Sequence, residues 1–186
     1  MRYAQIRSMD ISNGEGVGVS LFVQGCPFQC KNCFNSDTWD FNGGKEWTEE
    51  IKDKFMKLID RPYIKRVSFL GGECLAEQNL DEVLKLIQEI RISFPEKTIW
   101  LYTGFEWNQI MNMQVMQPIF SCKDLESKIQ NILKRQEIIK MCDVLVDGEY
   151  IDEQKDLTLK FRGSKNQRVI DVKKSLAQNK VVLYCD

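Results

Sequence analysis

The chain has 186 residues, room for one ordinary domain. Its 43% apolar and 28% charged residues run through the whole length, enough for a buried core under a solvated surface. Lys plus Arg number 26 against 27 Asp plus Glu, a balance that leaves no electrostatic footprint for nucleic acid, and the absence of histidine excludes Ser-His-Asp and Cys-His nucleophiles, HExxH zinc sites, mixed Cys/His fingers and imidazole acid-base chemistry.

In chain order, residues 1–16 (MRYAQIRSMDISNGEG) lack the apolar segment of a secretory signal. No apolar run approaches the roughly 18 residues of a membrane span, so a cytoplasmic location is expected. Residues 17–24 (VGVSLFVQ) read as a strand running into a cysteine loop. Thr48 is expected to cap a helix to about Ile59, with Glu49 and Glu50 in the first turn where the dipole favours them. Residues 66–70 (RVSFL) form a short strand stopped by Gly71-Gly72. Residues 79–94 then place Leu80, Val83, Leu84, Ile87, Ile90 and Phe94 on one helical face before Pro95.

Residues 98–102 (TIWLY) are the next strand, broken by Thr103-Gly104. Asp124 is expected to cap a helix whose buried stripe is Leu125, Ile129, Ile132, Leu133 and Ile139. Residues 144–146 give another apolar strand closed by Asp147-Gly148, residues 149–168 read as loop or short hairpin, and residues 181–184 as a last strand. Apolar strands alternating with amphipathic helices indicate an α/β fold with a mostly parallel sheet covered by helices. About five or six strands are too few for a full eightfold barrel, which leaves a partial (β/α) barrel or an open doubly wound sheet, in a single domain over 1–186. The strands up to residue 146 end in glycine-bearing turns, and in such folds the carboxyl ends of the strands face the ligand.

Seven cysteines, an odd number, in a reducing compartment point to metal or redox chemistry more than to disulfides. Cys26, Cys30 and Cys33 follow the first strand as C-x3-C-x2-C, and three thiolates this close converge on one soft metal centre. Three ligands suit a cubane iron-sulfur cluster with one iron left open. A zinc site completed by Cys74, Cys122, Cys142 or Cys185, or buried thiols without function, are the alternatives. Gly14-Glu15-Gly16-Val17-Gly18 is only superficially a dinucleotide fingerprint, because it precedes a strand instead of joining strand to helix.

Taken together, the loop and its surroundings resemble the radical S-adenosylmethionine enzymes, and within them the branch that activates anaerobic ribonucleoside-triphosphate reductase. The residues that carry the resemblance are Gly14-Glu15-Gly16-Val17, Phe22-Val23-Gln24-Gly25-Cys26, Cys33-Phe34-Asn35 with Trp39, and Gly71-Gly72-Glu73. Tyr102-Thr103-Gly104, Asp143-Val144-Leu145-Val146-Asp147-Gly148 and Arg162-Gly163-Ser164-Lys165-Asn166-Gln167-Arg168 complete them. The sequence departs from the wider pattern at Asn32, where an aromatic residue is usual, at Cys74, where proline is common, at Gly18, where arginine is common, and in a longer stretch at 111–123.

The resemblance implies a partial barrel of the radical S-adenosylmethionine type. It implies that Cys26, Cys30 and Cys33 hold a 4Fe-4S cluster whose open iron chelates S-adenosylmethionine. Reductive cleavage then yields a 5'-deoxyadenosyl radical, which takes a hydrogen from a glycine of the reductase's large subunit. A low-potential electron donor such as flavodoxin or ferredoxin is implied, and neither nucleic acid nor membrane is a partner.

For cofactor binding it implies Gly71, Gly72 and Glu73 at the methionine end, the backbone around Asn32, Cys33 and Phe34 beside the nucleoside, and Thr103, Gly104 and Asp147 near the ribose; an ordinary tight turn at Gly71-Gly72 and a turn-forming aspartate at Asp147 before Gly148 are the alternatives. Residues 162–168, basic and amide-rich, are expected to touch the partner or the nucleoside, or to form a solvated turn. The competing readings are a radical enzyme acting on another glycyl radical protein, a peptide or a small molecule, and a zinc-stabilised interaction module.

Overall fold

The structure is a computed structural model, described over residues 1–112 and 121–185. In chain order it contains β1 (Arg2–Asp10), β2 (Gly18–Val23), β3 (Lys45–Glu46), α1 (Glu49–Ile59), β4 (Arg66–Gly71) and α2 (Glu77–Ser93). β5 (Thr98–Tyr102), α3 (Trp107–Met111), α4 (Cys122–Met141), β6 (Val144–Asp147), β7 (Arg168–Asp171), α5 (Val172–Gln178) and β8 (Leu183–Cys185) follow.

Among the described residues the strands make one eight-stranded sheet in the order β3-β1-β2-β4-β5-β6-β7-β8. Its centre, β2-β4-β5-β6, is parallel, with Leu21 beside Phe69, Phe69 beside Leu101 and Leu101 beside Leu145. β1 and β3 on one flank and β7 and β8 on the other are antiparallel. The expected five or six mostly parallel strands are therefore corrected to eight strands with a four-stranded parallel core.

The central strands read as apolar throughout because both of their faces are buried. Val19, Leu21, Val67, Phe69, Ile99, Leu101 and Leu145 face one large core shared with Phe55, Ile59, Leu80, Ile87, Ile138 and Ile139 of the helices. The alternate residues Trp100, Val144 and Val146 belong to a smaller cluster on the other face, with Tyr102, Phe161 and Cys185 packed on it. That second face also carries Arg66, with no exposed surface. Its guanidinium donates to the Asp10 carbonyl at 2.7 Å, to the Asn13 carbonyl and to the Ser68 hydroxyl. An added Cβ on Gly14 or Gly18 would lie 2.6 or 2.7 Å from this side chain, so the glycine-rich segment before β2 makes room for a buried arginine.

Thr48 caps α1, its hydroxyl accepting from the Ile51 amide at 3.4 Å. α2 starts two residues earlier than the sequence predicts, and Asn79 turns out to be buried in it. The cap of α4 is Ser121, which accepts from the Asp124 amide at 3.1 Å, so Asp124 sits in the first turn and is not the cap. In that helix Ile132 and Ile139 are buried as expected, whereas Leu133 is exposed and Ile138 takes its place. Residues 149–168 are mostly loop, but Arg168 opens β7, and α5 follows it. The last strand is β8, starting two residues and ending one residue later than the expected 181–184. Of the stretch 111–123, residues 113–120 lie outside the described residues, as does the side chain of Cys122.

Candidate cluster and cofactor site

The cysteine loop is held shut between its start, just after β2, and residues 38–39 at its close. The Gly25 amide donates to the Thr38 carbonyl at 2.8 Å and the Cys26 amide to the Trp39 carbonyl at 3.0 Å. Gln24 is buried beneath, its amide nitrogen donating to the carbonyls of Asp37 (3.1 Å) and Asp40 (2.9 Å). Between these ties Gln29 and Asn32 adopt left-handed backbone, φ 49° and 55°, which turns the chain sharply enough to bring three cysteines to one side.

Cys26, Cys30 and Cys33 are half-buried free thiols that line one cavity of about 620 Å³. Burial pushes the Cys26 thiol up to about 11, with the nearby Glu73 and Cys30 adding to it, and raises Cys30 as well. Thiols so placed give up their protons only to a cation that takes the thiolates as ligands. Cys74 and Cys142 are fully buried and their sulfurs donate to backbone carbonyls of Leu70 (3.9 Å) and Ile138 (3.3 Å). Among the described residues none of Cys74, Cys142 and Cys185 lines the cavity, and no three His, Cys, Asp or Glu side chains gather as ligands of a single metal ion. The donor set, three soft sulfurs facing open volume, fits a cluster with one uncommitted corner.

The β4 turn forms the adjoining wall. The Gly72 amide donates to the Val23 carbonyl at 2.9 Å and the Glu73 amide to the Gly25 carbonyl at 2.7 Å, so this turn is laced backbone to backbone onto the root of the cysteine loop. Asn79 secures the joint, its side-chain nitrogen reaching the carbonyls of Gln24 (3.0 Å) and Glu73 (2.9 Å). Nothing in the local sequence marks this residue, because the strand end it ties down, at Gln24, lies 55 residues away along the chain.

Glu73 is 1% exposed. Its Oε1 accepts from the Leu75 amide and the Thr103 hydroxyl, and its Oε2 from the Gly104 amide, each at 2.8 Å. The carboxylate thus joins the β4 and β5 turns, and the groups expected at the ligand, Glu73 and Thr103, spend their polar atoms on each other. Burial lifts the Glu73 carboxyl to about 6 against the opposing pull of those hydrogen bonds. A carboxyl raised in the folded state binds its proton more tightly there. Its contribution to stability is therefore fully present below pH 4.5 and lost as the pH rises through about 6, roughly 2 kcal/mol in all. Urea unfolding of the iron-free protein across that window should show this decline, and the decline should vanish in Glu73→Gln.

Gly71, Gly72, Glu73, Thr103, Gly104, Cys33 and Phe34 all line the same cavity as the expected ligand cysteines. Phe34 is 60% exposed, packs edge-on against Tyr150 at 5.3 Å and carries the Lys155 ammonium over its ring. Asn32 and Asp147 are not among the lining residues. The side chain of Asn32 donates to the Asp152 carboxylate at 2.7 Å. Asp147, 1% exposed, accepts from the Trp107 amide at 2.8 Å and takes a two-pronged ion pair from Arg168, which anchors β6 to β7 and to the start of α3. The sequence did not single out Arg7, Tyr150, Leu159 and Phe161, which also line the cavity. Arg7 comes from β1, a strand with no sequence signal, and the others lacked any motif beyond their place at a strand end or in a loop.

Three sulfurs and two glycine turns at the carboxyl ends of parallel strands define an iron-sulfur protein of the single-cluster kind, and residues 12–170 match the family model described as 4Fe-4S single cluster domain. The chain is 36% identical over 169 residues to the anaerobic ribonucleoside-triphosphate reductase-activating protein of Vibrio cholerae, covering 90% of this chain and 96% of that one. Proteins of the same name from Escherichia coli K12 and from bacteriophage T4 are 34% and 33% identical over 171 residues, covering 91% of this chain and 97% and 93% of theirs. The chain belongs to the family of anaerobic ribonucleoside-triphosphate reductase-activating proteins.

Proposed function

We propose that this protein generates a glycyl radical on an anaerobic ribonucleoside-triphosphate reductase, using a 4Fe-4S cluster held by Cys26, Cys30 and Cys33 and S-adenosylmethionine bound at its open iron. The observation that carries the reading is the shared cavity: three thiols and the Gly71-Gly72 turn face one volume, and no fourth described cysteine enters it. The four-stranded parallel centre, its carboxyl ends turned to that volume, is read as the partial barrel of a radical enzyme, one domain over 1–186.

When bound, the cluster and S-adenosylmethionine supply one-electron cleavage of a sulfonium and abstraction of a hydrogen atom. The chain's own residues position and shield. The turn at Gly71-Gly72 brings bare backbone to the methionine end. Glu73 and Thr103 act as positioning residues, fixing the β4 and β5 turns relative to each other. Gly104 lies flat against the Phe28 ring, where an added Cβ would sit at 2.6 Å, so a cysteine-loop side chain closes that side against water. Asp147, at the carboxyl end of β6, fixes that end through Arg168 and the Trp107 amide. No helix among the described residues is long and apolar enough to cross a membrane, and a cytoplasmic site with a low-potential flavodoxin or ferredoxin as donor completes the reading.

The test is anoxic reconstitution with iron, sulfide, reductant, S-adenosylmethionine and the cognate reductase. A doublet glycyl signal in electron paramagnetic resonance, dependent on S-adenosylmethionine, is the expected result. Its absence with a fully loaded cluster overturns the substrate assignment.

A further inference from the structure

The loop between β6 and β7 builds a wall of the cavity that holds no cysteine. Phe161 there has φ 61°, a left-handed conformation that a bulky aromatic residue adopts only when its surroundings force it. Its ring is pinned edge-on against Trp100 of β5 at 5.0 Å, and the strained turn sets the next residue, Arg162, into the cavity lining. The guanidinium is fixed from behind, Nη1 donating to the Gln167 carbonyl at 3.0 Å. Gln167 is itself braced, accepting from the amides of Gly163 (2.9 Å) and Ser164 (3.2 Å) and donating to the Gly148 carbonyl (3.0 Å).

Arg162 Nε is nevertheless buried with no acceptor in the chain. Tyr102, at the carboxyl end of β5, lines the same cavity and its hydroxyl is likewise buried and unpartnered. Burial also pushes the Tyr102 hydroxyl well above its ordinary range, so it remains a donor. Buried donors are nearly always satisfied in folded proteins, and both of these belong to residues that line one cavity, a volume that acceptors from outside can enter.

We propose that Arg162 and Tyr102 receive the backbone of the substrate segment, donating to the carbonyls that flank the glycine to be activated. This rests on the reading of the site given above. A glycine has no side chain to grip, so its carbonyls are the handles by which its Cα can be aimed. Leu159 and Phe161, which line the cavity with the two donors, keep water from competing for them. Leu157, 78% exposed, and Phe34 stand on the same cavity and offer apolar surface to the residues either side of the glycine. In that reading the amino and carboxylate groups of S-adenosylmethionine are already engaged by the open iron and the Gly71-Gly72 turn.

The experiment measures activation kinetics on the cognate reductase and the dissociation constant of S-adenosylmethionine by equilibrium dialysis, on cluster-loaded protein. Arg162→Gln should raise the KM for reductase about tenfold or more, with kcat changed less than threefold and a wild-type affinity for S-adenosylmethionine. Tyr102→Phe, which removes the hydroxyl and keeps the ring, should raise KM about threefold and serves if the first variant fails to fold. A glycine peptide matching the reductase segment, and its analogue with the flanking carbonyl reduced to methylene, close a double cycle. The analogue should bind wild type about tenfold more weakly than the parent peptide, and Arg162→Gln equally well. Full sensitivity to the missing carbonyl in the variant overturns the proposal, as does weakened S-adenosylmethionine binding with unchanged KM. Absence of any glycyl signal with wild type is the separate failure of the parent reading.

Discussion

Cys30→Ala is expected to abolish retention of iron and sulfide after anoxic reconstitution, from about four irons per chain to less than about one. Cys30 sits between two left-handed turns at Gln29 and Asn32 and shares its cavity with Cys26 and Cys33. With one of three sulfurs gone, the proposed cluster, which would already lack a protein ligand at one corner, would be left on two. Among the described residues Cys74 and Cys142 offer no replacement, being fully buried and bonded to carbonyls of their own segments, and Cys185 does not line the cavity. Assembly at Cys26, whose thiol is pushed up to about 11, must release a proton, so iron uptake should also slow as the pH is lowered. The matched control is Cys142→Ala, which should lower stability by about 1–2 kcal/mol through lost packing and retain iron and sulfide as wild type does. Colourless wild-type protein carrying one zinc per chain, lost in Cys30→Ala, would favour the interaction-module reading instead.

The features legible in the sequence are those set by neighbours along the chain. The C-x3-C-x2-C spacing, the cap at Thr48 and the apolar runs of β2, β4, β5 and β6 are local, and the structure places each where the spacing puts it. β1 is invisible because two register shifts against β2 break the alternation that would announce it, and most of its residues are only partly covered. β7 and α5 are four and seven residues long, too short for either period to show.

The same division runs through the site. Gly71, Gly72 and the cysteines stand out as motifs, whereas the work of Glu73 depends on Thr103, 30 residues on, and that of Asp147 on Arg168, 21 residues on. An acidic residue at a strand end reads as a ligand group in the sequence, and its structural work shows only once the distant partner is seen. Arg66 is the reverse case: an arginine opening a strand reads as exposed, yet it is buried because Gly14 and Gly18 leave it space and the Asp10 carbonyl with Ser68 accepts its protons.

Gly72→Ala is expected to lower stability by about 3 kcal/mol or more, a fall in melting temperature of roughly 6–12 °C for a chain of this size, and to weaken S-adenosylmethionine binding at least about tenfold. The cause is space. An alanine Cβ would lie 2.4 Å from the Gly25 carbonyl oxygen and 2.9 Å from its carbon, and these are backbone atoms that cannot swing aside as a side chain would. Gly25 has nowhere to retreat: its amide is bonded to Thr38 and its own Cα faces the Phe41 ring, where an added Cβ would sit at 2.1 Å. Separating the two turns would break the bond from the Glu73 amide to the Gly25 carbonyl and shift Cys26, the next residue, out of its place in the cavity. Gly16→Ala isolates conformational strain from crowding, because Gly16 has φ +75° but its nearest neighbour would be 3.7 Å away. That change should cost about 1 kcal/mol and leave cluster and ligand binding intact. If Gly72→Ala melts and binds like Gly16→Ala, close backbone contact between the β2 and β4 turns is not what shapes the site.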